Sequence, residues 1–493
     1  MQNLPIELYR AAQVRELDRL AIEERGIPGY TLMSRAGKAT FDALRRQWPQ
    51  ARRIAVLCGG GNNGGDGYVV AALATQNGLD VQVWTLSDPE RLRGDALTAF
   101  RDAQAAGVAI AAFTGPTDLD AADVFVDALF GTGLERKVGG LWREAIKAMN
   151  RHSAPVMAVD IPSGLHADTG AVMGVAVRAD LTVTFIGLKQ GLFTGQGPAC
   201  CGRVLYDDLH VPEDVHSIIH PASRRYDGGD LPTLLPKRSR SAHKGNHGHV
   251  LVVGGDLGMG GAARMAAEAA ARCGAGLVSV ATRAAHASMQ AAVRPELMFR
   301  GVESMAELAP LLARASVVAV GPGLRDGDWG KSLLQAVLAS DRPLVVDADG
   351  LNLLAAAPLR RDNWVLTPHP GEAARLLQTT PGEVEADRFT AVAEIALRFG
   401  GVCVLKGAGS LIADERDGLW LCNAGNPGMA SGGMGDVLTG VIAGLLAQGL
   451  SPIQAARVGV YLHGRAGDRA AQDGERGLLA MDLLPHLRTL VNP

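Results

Sequence analysis

Short apolar runs, each bounded by glycine and polar residues, alternate along the chain with stretches whose apolar positions recur at helical spacing. In the first half the runs fall at 53–58, 80–86, 124–127, 156–160 and 181–185, and each predicts a strand buried on both faces. Between them, residues 8–25 (Ala12, Val14, Leu17, Leu20, Ala21), 34–48 and 68–77 carry helical patterns. Residues 221–249 break the rhythm with turn-forming and basic residues, as a linker does. The alternation then resumes, with strands expected at 250–253, 277–281, 317–320, 344–347 and 402–406, and a small-residue helix at 258–274. Two α/β domains, 1–224 and 225–493, each with a parallel sheet between helices, are therefore expected.

Composition fits this picture. Of 493 residues, 47% are hydrophobic but only 4% aromatic, which suits close-packed α/β layers. The formal charge of −3 gives no general attraction to nucleic acid or to an anionic membrane, and the basic cluster at 237–249 is short. The six cysteines lack metal-type spacing, and buried free thiols are expected. The N-terminus has no apolar signal core and no run is long enough to span a membrane, so the expected location is the cytoplasm. Small-residue helices and exposed sheet edges permit assembly, and a homo-oligomer is expected.

The stretch with the most chemistry is Gly425-Asn-Pro-Gly-Met-Ala-Ser-Gly-Gly-Met-Gly-Asp436, which leads into a helical face of Val437, Leu438, Val441, Ile442, Leu445 and Leu446. A glycine-rich approach to a helix start makes a cradle of unpaired N–H groups for an anion. Asp436 in that first turn would repel a phosphate, but it suits the removal of a proton from a hydroxyl that receives one. A bare helix start with a favourable acidic residue is the alternative. Lys406, at a strand end before glycines, suits a nucleotide phosphate, and His369 sits between two prolines in a rigid loop.

In the first half, Gly59-Gly-Gly-Asn-Asn-Gly-Gly-Asp-Gly67 follows a strand. It contains the dinucleotide spacing Gly59, Gly61, Gly64, with Asp88 beyond the next strand. Its extra residues Asn62, Asn63 and Asp66 are not needed for that fingerprint and point to a loop that reads a polar ligand or holds a cation through oxygen. Asp127 and Asp160 end two further strands, and Ser163 follows, so the strand ends deliver Asn63, Asp127, Asp160 and Ser163 to one rim.

Four stretches, Asn62-Asn-Gly-Gly-Asp-Gly67, Val126-Asp-Ala-Leu-Phe-Gly-Thr-Gly133, Val159-Asp-Ile-Pro-Ser-Gly164 and Thr184-Phe-Ile-Gly-Leu-Lys-Gln-Gly191, resemble the YjeF N-terminal domain, the family of NAD(P)H-hydrate epimerases. The resemblance implies a Rossmann-like three-layer domain that binds hydrated NADH or NADPH and a potassium ion. By position it implies potassium oxygens from Asn63, Asp127 and Ser163. Hydrate contacts would come from Asn62, Asn63, Gly64, Gly65 and Asp66, then from Gly131, Thr132, Gly133, Leu134, Glu135, Arg136 and Lys137, with Asp160 as the proton-transfer group. The second half resembles ribokinase-like kinases, and most of all the ADP/ATP-dependent NAD(P)H-hydrate dehydratases, through 243–249, Gly321-Pro-Gly-Leu324, 366–372, Lys406-Gly407 and Gly432-Gly-Met-Gly-Asp436. That implies a ribokinase-like αβα domain in which Ala262, Gly323, His369 and Asp436 contact the hydrate. Lys406, Gly407, Ala408, Gly409, Ser410 and Gly435 would hold ADP with magnesium. Arg325 departs from the small residue common after Gly-Pro-Gly-Leu. The rival readings are a sugar or hydroxymethylpyrimidine kinase and a binding scaffold.

Overall fold

The structure, a computed structural model, describes residues 4–119 and 121–493, and the chain divides into two compact units that meet in sequence at Arg224 and Arg225. The first unit is built on seven strands: β1 (Arg53–Cys58), β2 (Asp80–Thr85), β3 (Ala109–Ala112), β4 (Val124–Ala128), β5 (Val156–Val159), β6 (Leu181–Phe185) and β7 (Arg203–Asp207). They are parallel, in the order β3-β2-β1-β4-β5-β6-β7. The central strands read as unbroken aliphatic runs because helices cover both faces. One face packs against Phe41, Leu44, Tyr68 and Val70, the other against Ala145, Ile146 and Met149. Each such buried side chain contributes roughly 1.5–3 kcal/mol. The strand order reverses between β1 and β4, and the crevice outside such a reversal is where open α/β sheets bind ligands.

Two expectations for this unit need correction. Residues 8–25 do not form one helix. Glu7–Tyr9 is a short strand, α1 follows over Ala11–Arg19, and Leu20–Glu24 is a π-helical turn. The polar stretch after β1 is not a loop through Gly67 either: α3 spans Asn62–Gln76, so Asn62, Asn63 and Asp66 project from its first turns. Close packing is the reason. A Cβ on Gly64 would lie 2.1 Å from the Gly59 carbonyl oxygen, and one on Gly67 2.6 Å from the Ala128 side chain. Here glycine lets a helix lie against the sheet instead of making a turn. The helix expected from residue 34 begins earlier, as α2 (Gly29–Gln47).

The second unit has nine strands: β8 (His249–Val253), β9 (Leu277–Thr282), β10 (Met298–Gly301), β11 (Val317–Val320), β12 (Leu344–Val346), β13 (Trp364–Leu366), β14 (Val402–Leu405), β15 (Ser410–Asp414) and β16 (Gly418–Cys422). Their order is β10-β9-β8-β11-β12-β13-β14-β15-β16, parallel as far as β14 and antiparallel beyond it. Three helices matter for the site: α4 (Gly260–Arg272), α5 (Pro370–Leu377) and α6 (Met434–Ala447). Most of α6 is buried, as an all-round apolar helix must be. Gly440 and Gly444 let it approach α4, since a Cβ at Gly440 would sit 1.9 Å from the Ala266 carbonyl oxygen.

The six cysteines are all buried and free. No helix among the described residues is long and apolar enough to cross a membrane.

Candidate functional sites

In the first unit a cleft of about 620 Å³ opens at the strand-order reversal. It is lined by Asn62, Asn63 and Asp66 from α3, by Gly131 to Arg136 after β4, and by Asp160 after β5. Gly64 and Gly65 are buried in packing, and Lys137 lies instead in an adjoining recess with Arg136, Phe130 and Trp142. Asp160 adopts φ of 67°, a left-handed backbone that few residues other than glycine accept. Its carboxylate is held by the Lys189 ammonium, which also donates to Thr184 Oγ1 and the Phe185 carbonyl at 3.0 Å each. Lys189 was quoted in a motif above without a role, and the structure brings it to the centre of the site.

Two more carboxyl groups feel the charge of this ammonium. Burial, with the charges of Asp160 and Asp18, pushes the Asp66 carboxyl well above the usual carboxylate range. Asp18, on α1, also lines the cleft. The sequence did contain a sign of it. Asp18 falls on the same face of α1 as Val14, Leu17 and Ala21, where a charge is out of place unless it serves a ligand.

Beneath the cleft, Asp127 is fully buried and accepts from Ser163 N at 2.8 Å, Ser163 Oγ at 2.6 Å and Leu129 N at 3.3 Å. Burial still pushes its carboxyl up to about 6. Asn63 lies beside Gly131, and neither its amide oxygen nor its nitrogen has a hydrogen-bond partner although both are buried. An unsatisfied amide of this kind needs a partner from outside the chain. With a carboxylate and a hydroxyl nearby, the donor set is hard oxygen, which fits an alkali-metal ion.

In the second unit α6 begins at Gly433, left-handed at φ of 90°, and the N–H groups of its first turn have no intrahelical acceptor. Below Gly435 lies the pair Lys406 and Asp347, with Nζ to Oδ1 at 2.6 Å; a Cβ on Gly435 would come 3.3 Å from that Nζ. Asp347 also accepts from Thr439 Oγ1 at 2.8 Å. Burial opposes its charge, but Lys406 and the hydroxyls of Thr439 and Thr367 outweigh it and hold the carboxyl below the usual value. Glu372 stands 3.6 Å from the same ammonium. Lys406, expected to meet a nucleotide phosphate, thus lies with its ammonium between two carboxylates at the floor of the cradle.

Asp436 faces this cluster. Burial first, then the charge of Asp347, pushes its carboxyl up to about 7, the range of a working general base. His369 caps α5, its Nδ1 accepting from Gly371 N at 3.0 Å, and its own N–H donates to Glu372, which ties it to the Lys406 cluster. Gly323, at φ of 61°, lies against Ala262, to whose Cβ an added methyl would come within 3.3 Å. Arg388, buried, supports the 406–410 loop by donating to the Leu405 and Lys406 carbonyls. Neither Arg388 nor Asp347 was singled out as a site residue, because only tertiary folding brings them to the cradle.

Comparison with known proteins completes this picture. A family model described as NAD(P)H-hydrate dehydratase matches residues 250–488, and one described as YjeF-related protein N-terminus matches 29–191. The chain is 52% identical to the bifunctional NAD(P)H-hydrate repair enzyme Nnr of Coxiella burnetii, covering 99% of each. The chain belongs to the bifunctional NAD(P)H-hydrate repair enzymes. The Escherichia coli repair enzyme of the same name is 44% identical over 100% of this chain and 95% of its own. A solved ribokinase-like superfamily protein from Enterococcus faecalis superposes with a TM-score of 0.51 at 29% identity, covering 55% of this chain and 96% of its own. The repair-enzyme relatives thus span both units, and so both clusters of acid groups.

Proposed function

We propose that the chain restores NADH and NADPH from their hydrates in two steps, one in each unit. The second unit removes water from the S epimer at the expense of ADP, giving AMP and phosphate. Asp436 takes the proton of the hydrate hydroxyl as that oxygen accepts the phosphoryl group. The first-turn N–H groups of α6 stabilise the charge on the transferring phosphate. The phosphorylated oxygen then leaves, pushed out by the ring nitrogen, and the nicotinamide is regained. Ala262, Gly323 and His369 contact the hydrate, while Gly407 to Ser410 and Gly435 receive the nucleotide. Lys406 holds the floor of the cradle through Asp347. Magnesium bound with the nucleotide would supply positive charge at the transferring phosphate.

The first unit interconverts the R and S hydrates. The cleft residues from Asn62 to Asp66 and from Gly131 to Lys137 hold the hydrate, and Asp160 moves the proton. Asn63, Asp127 and Ser163 would hold potassium, which when bound offsets the buried charge of Asp127. The observation that carries the reading is the acid group of Asp436, raised toward neutrality beside a bare helix start.

The test is an assay of both hydrate epimers with ADP or ATP, in potassium or in lithium. Recovery of nicotinamide absorbance from both epimers with release of phosphate is expected, with the R epimer's share dependent on potassium. A stable phosphorylated product, without regained nicotinamide, would make the chain an ordinary kinase.

A further inference from the structure

We propose that Asp18 is a second proton-transfer residue of the first site, working with Asp160 on the hydrated carbon. The inference rests on the epimerising role given to that site.

Asp18 reaches the cleft from α1, whereas Asp66 comes from α3 and Asp160 from the end of β5. Three carboxyl groups from three elements thus line one cleft with the Lys189 ammonium, and that ammonium is already held by Asp160, Thr184 and Phe185. Asp18 itself is part-buried and makes no hydrogen bond or ion pair to the described residues. Arg15 stands one turn earlier on the same helix yet forms no ion pair with it, and Arg19 is engaged by Glu16 and Glu23. Carboxyl groups this far from water are ordinarily paired. One left open towards a cleft, on what is otherwise the apolar face of its helix, is available to a ligand. The charged groups facing it are Arg15, Asp66, Asp160 and Lys189, with Asp95, Glu135 and Arg136 lining the same cleft. Burial, opposed by Lys189 and assisted by Asp160, pushes the Asp18 carboxyl up to about 6.

Epimerisation needs one group to give a proton and another to take one. The ring nitrogen's lone pair forms a C=N bond as the C–O bond breaks, and the departing hydroxyl leaves as water with the proton of Asp18. A water then adds to the opposite face. Its O–C bond forms, the C=N pair returns to nitrogen, and its proton passes to Asp160. Asp18 has lost one proton and Asp160 has gained one; as left, the pair serves the reverse passage, and exchange of these protons with solvent resets it for the next R hydrate. No oxidant or reductant is needed.

The experiment uses the full chain with Asp18→Asn and Asp18→Glu, supplied with separated R and S hydrates, ADP, magnesium and potassium. For Asp18→Asn the expected result is wild-type dehydration of the S hydrate, and R conversion with kcat down about 10²–10⁴-fold and KM little changed. The fall in R epimerisation as pH rises through about 6, where Asp18 loses the proton it must donate, should vanish, and Asp18→Glu should restore part of the rate with that limb displaced. Epimerisation by Asp18→Asn within a few-fold of wild type, with the limb intact, overturns the assignment. Should Asp18→Asn unfold the first unit, Asp18→Glu decides, because an unaltered rate and pH profile in that variant overturns the assignment equally. A wild-type chain inactive on both hydrates would overturn the repair reading itself, and the pair with it.

Discussion

Lys406 lies between two carboxylates, and that arrangement controls the acidity of a third. Its ammonium is 2.6 Å from Asp347 and 3.6 Å from Glu372. Burial alone would lower the lysine's pKa, but the two carboxylates outweigh it and hold the ammonium charged. Burial first, and then the charge of Asp347 against that of Lys406, leave the Asp436 carboxyl at about 7. The working form of Asp436 is the carboxylate, so dehydration should fall as pH drops through about 7. Asp347→Asn removes a negative charge near Asp436 and leaves Lys406 less balanced, and both changes favour the Asp436 carboxylate. The acid limb of the dehydration profile should therefore move to lower pH. The same substitution breaks a buried pair and should cost about 3–5 kcal/mol of stability in the second unit, read as a lower Tm. An unmoved acid limb in a folded variant would show that Asp347 has no electrical effect on the base. The sequence hinted at this only faintly: the strand expected at 344–347 ends in Asp347, but nothing in one dimension says that it lies under Gly435.

At the scale of elements, the long buried strands could be read directly. The spans of β1, β6 and β11 are those expected from their aliphatic runs. Strands such as Ala109–Ala112 and Trp364–Leu366 could not, since the first is alanine-rich and largely exposed and the second has only three residues. The start of α3 was hidden for another reason. Glycine usually predicts turns, but Gly64 and Gly67 are helical and serve contact with the sheet. Asn63 is therefore held beside Gly131 by a rigid helix rather than a flexible loop, which suits the oxygen ligand proposed for it. Gly64→Ala tests this. Its methyl would lie 2.1 Å from the Gly59 carbonyl oxygen, so the helix start must shift. The expected outcome is a Tm lowered by several degrees, loss of potassium-dependent epimerisation, and S-hydrate dehydration left as it was. An epimerase still fully active and potassium-dependent would show that the close approach is not needed to place Asn63.

Across the whole molecule, each site is complete within its own unit. The first cleft draws on residues no later than Leu209, and the second cradle on residues from Ala262 onward. The two sites share no side chain, and each has its own committed lysine, Lys189 or Lys406, with carboxyl groups around it. One chemical demand explains the repetition. Both reactions work on a neutral hydroxyl at neutral pH, and both need a carboxyl group whose acidity has been moved away from that of a free aspartate. Self-contained sites also imply that the two activities are coupled through the released S hydrate and need not occur on one chain. With the roles proposed for them, an Asp160→Ala protein should lack the first activity and an Asp436→Asn protein the second. Given a mixture of R and S hydrates with ADP, the Asp160→Ala protein alone should consume the S share and then slow to the unassisted rate of epimer exchange. The Asp436→Asn protein alone should regain no nicotinamide. Mixed in equal amounts, the two should convert both hydrates completely, at a rate set by whichever site is slower and rising with the concentration of either protein. A mixture that stalls where the Asp160→Ala protein stalls would mean that the hydrate passes between sites without leaving the chain, and that the independence of the two sites ends at their chemistry.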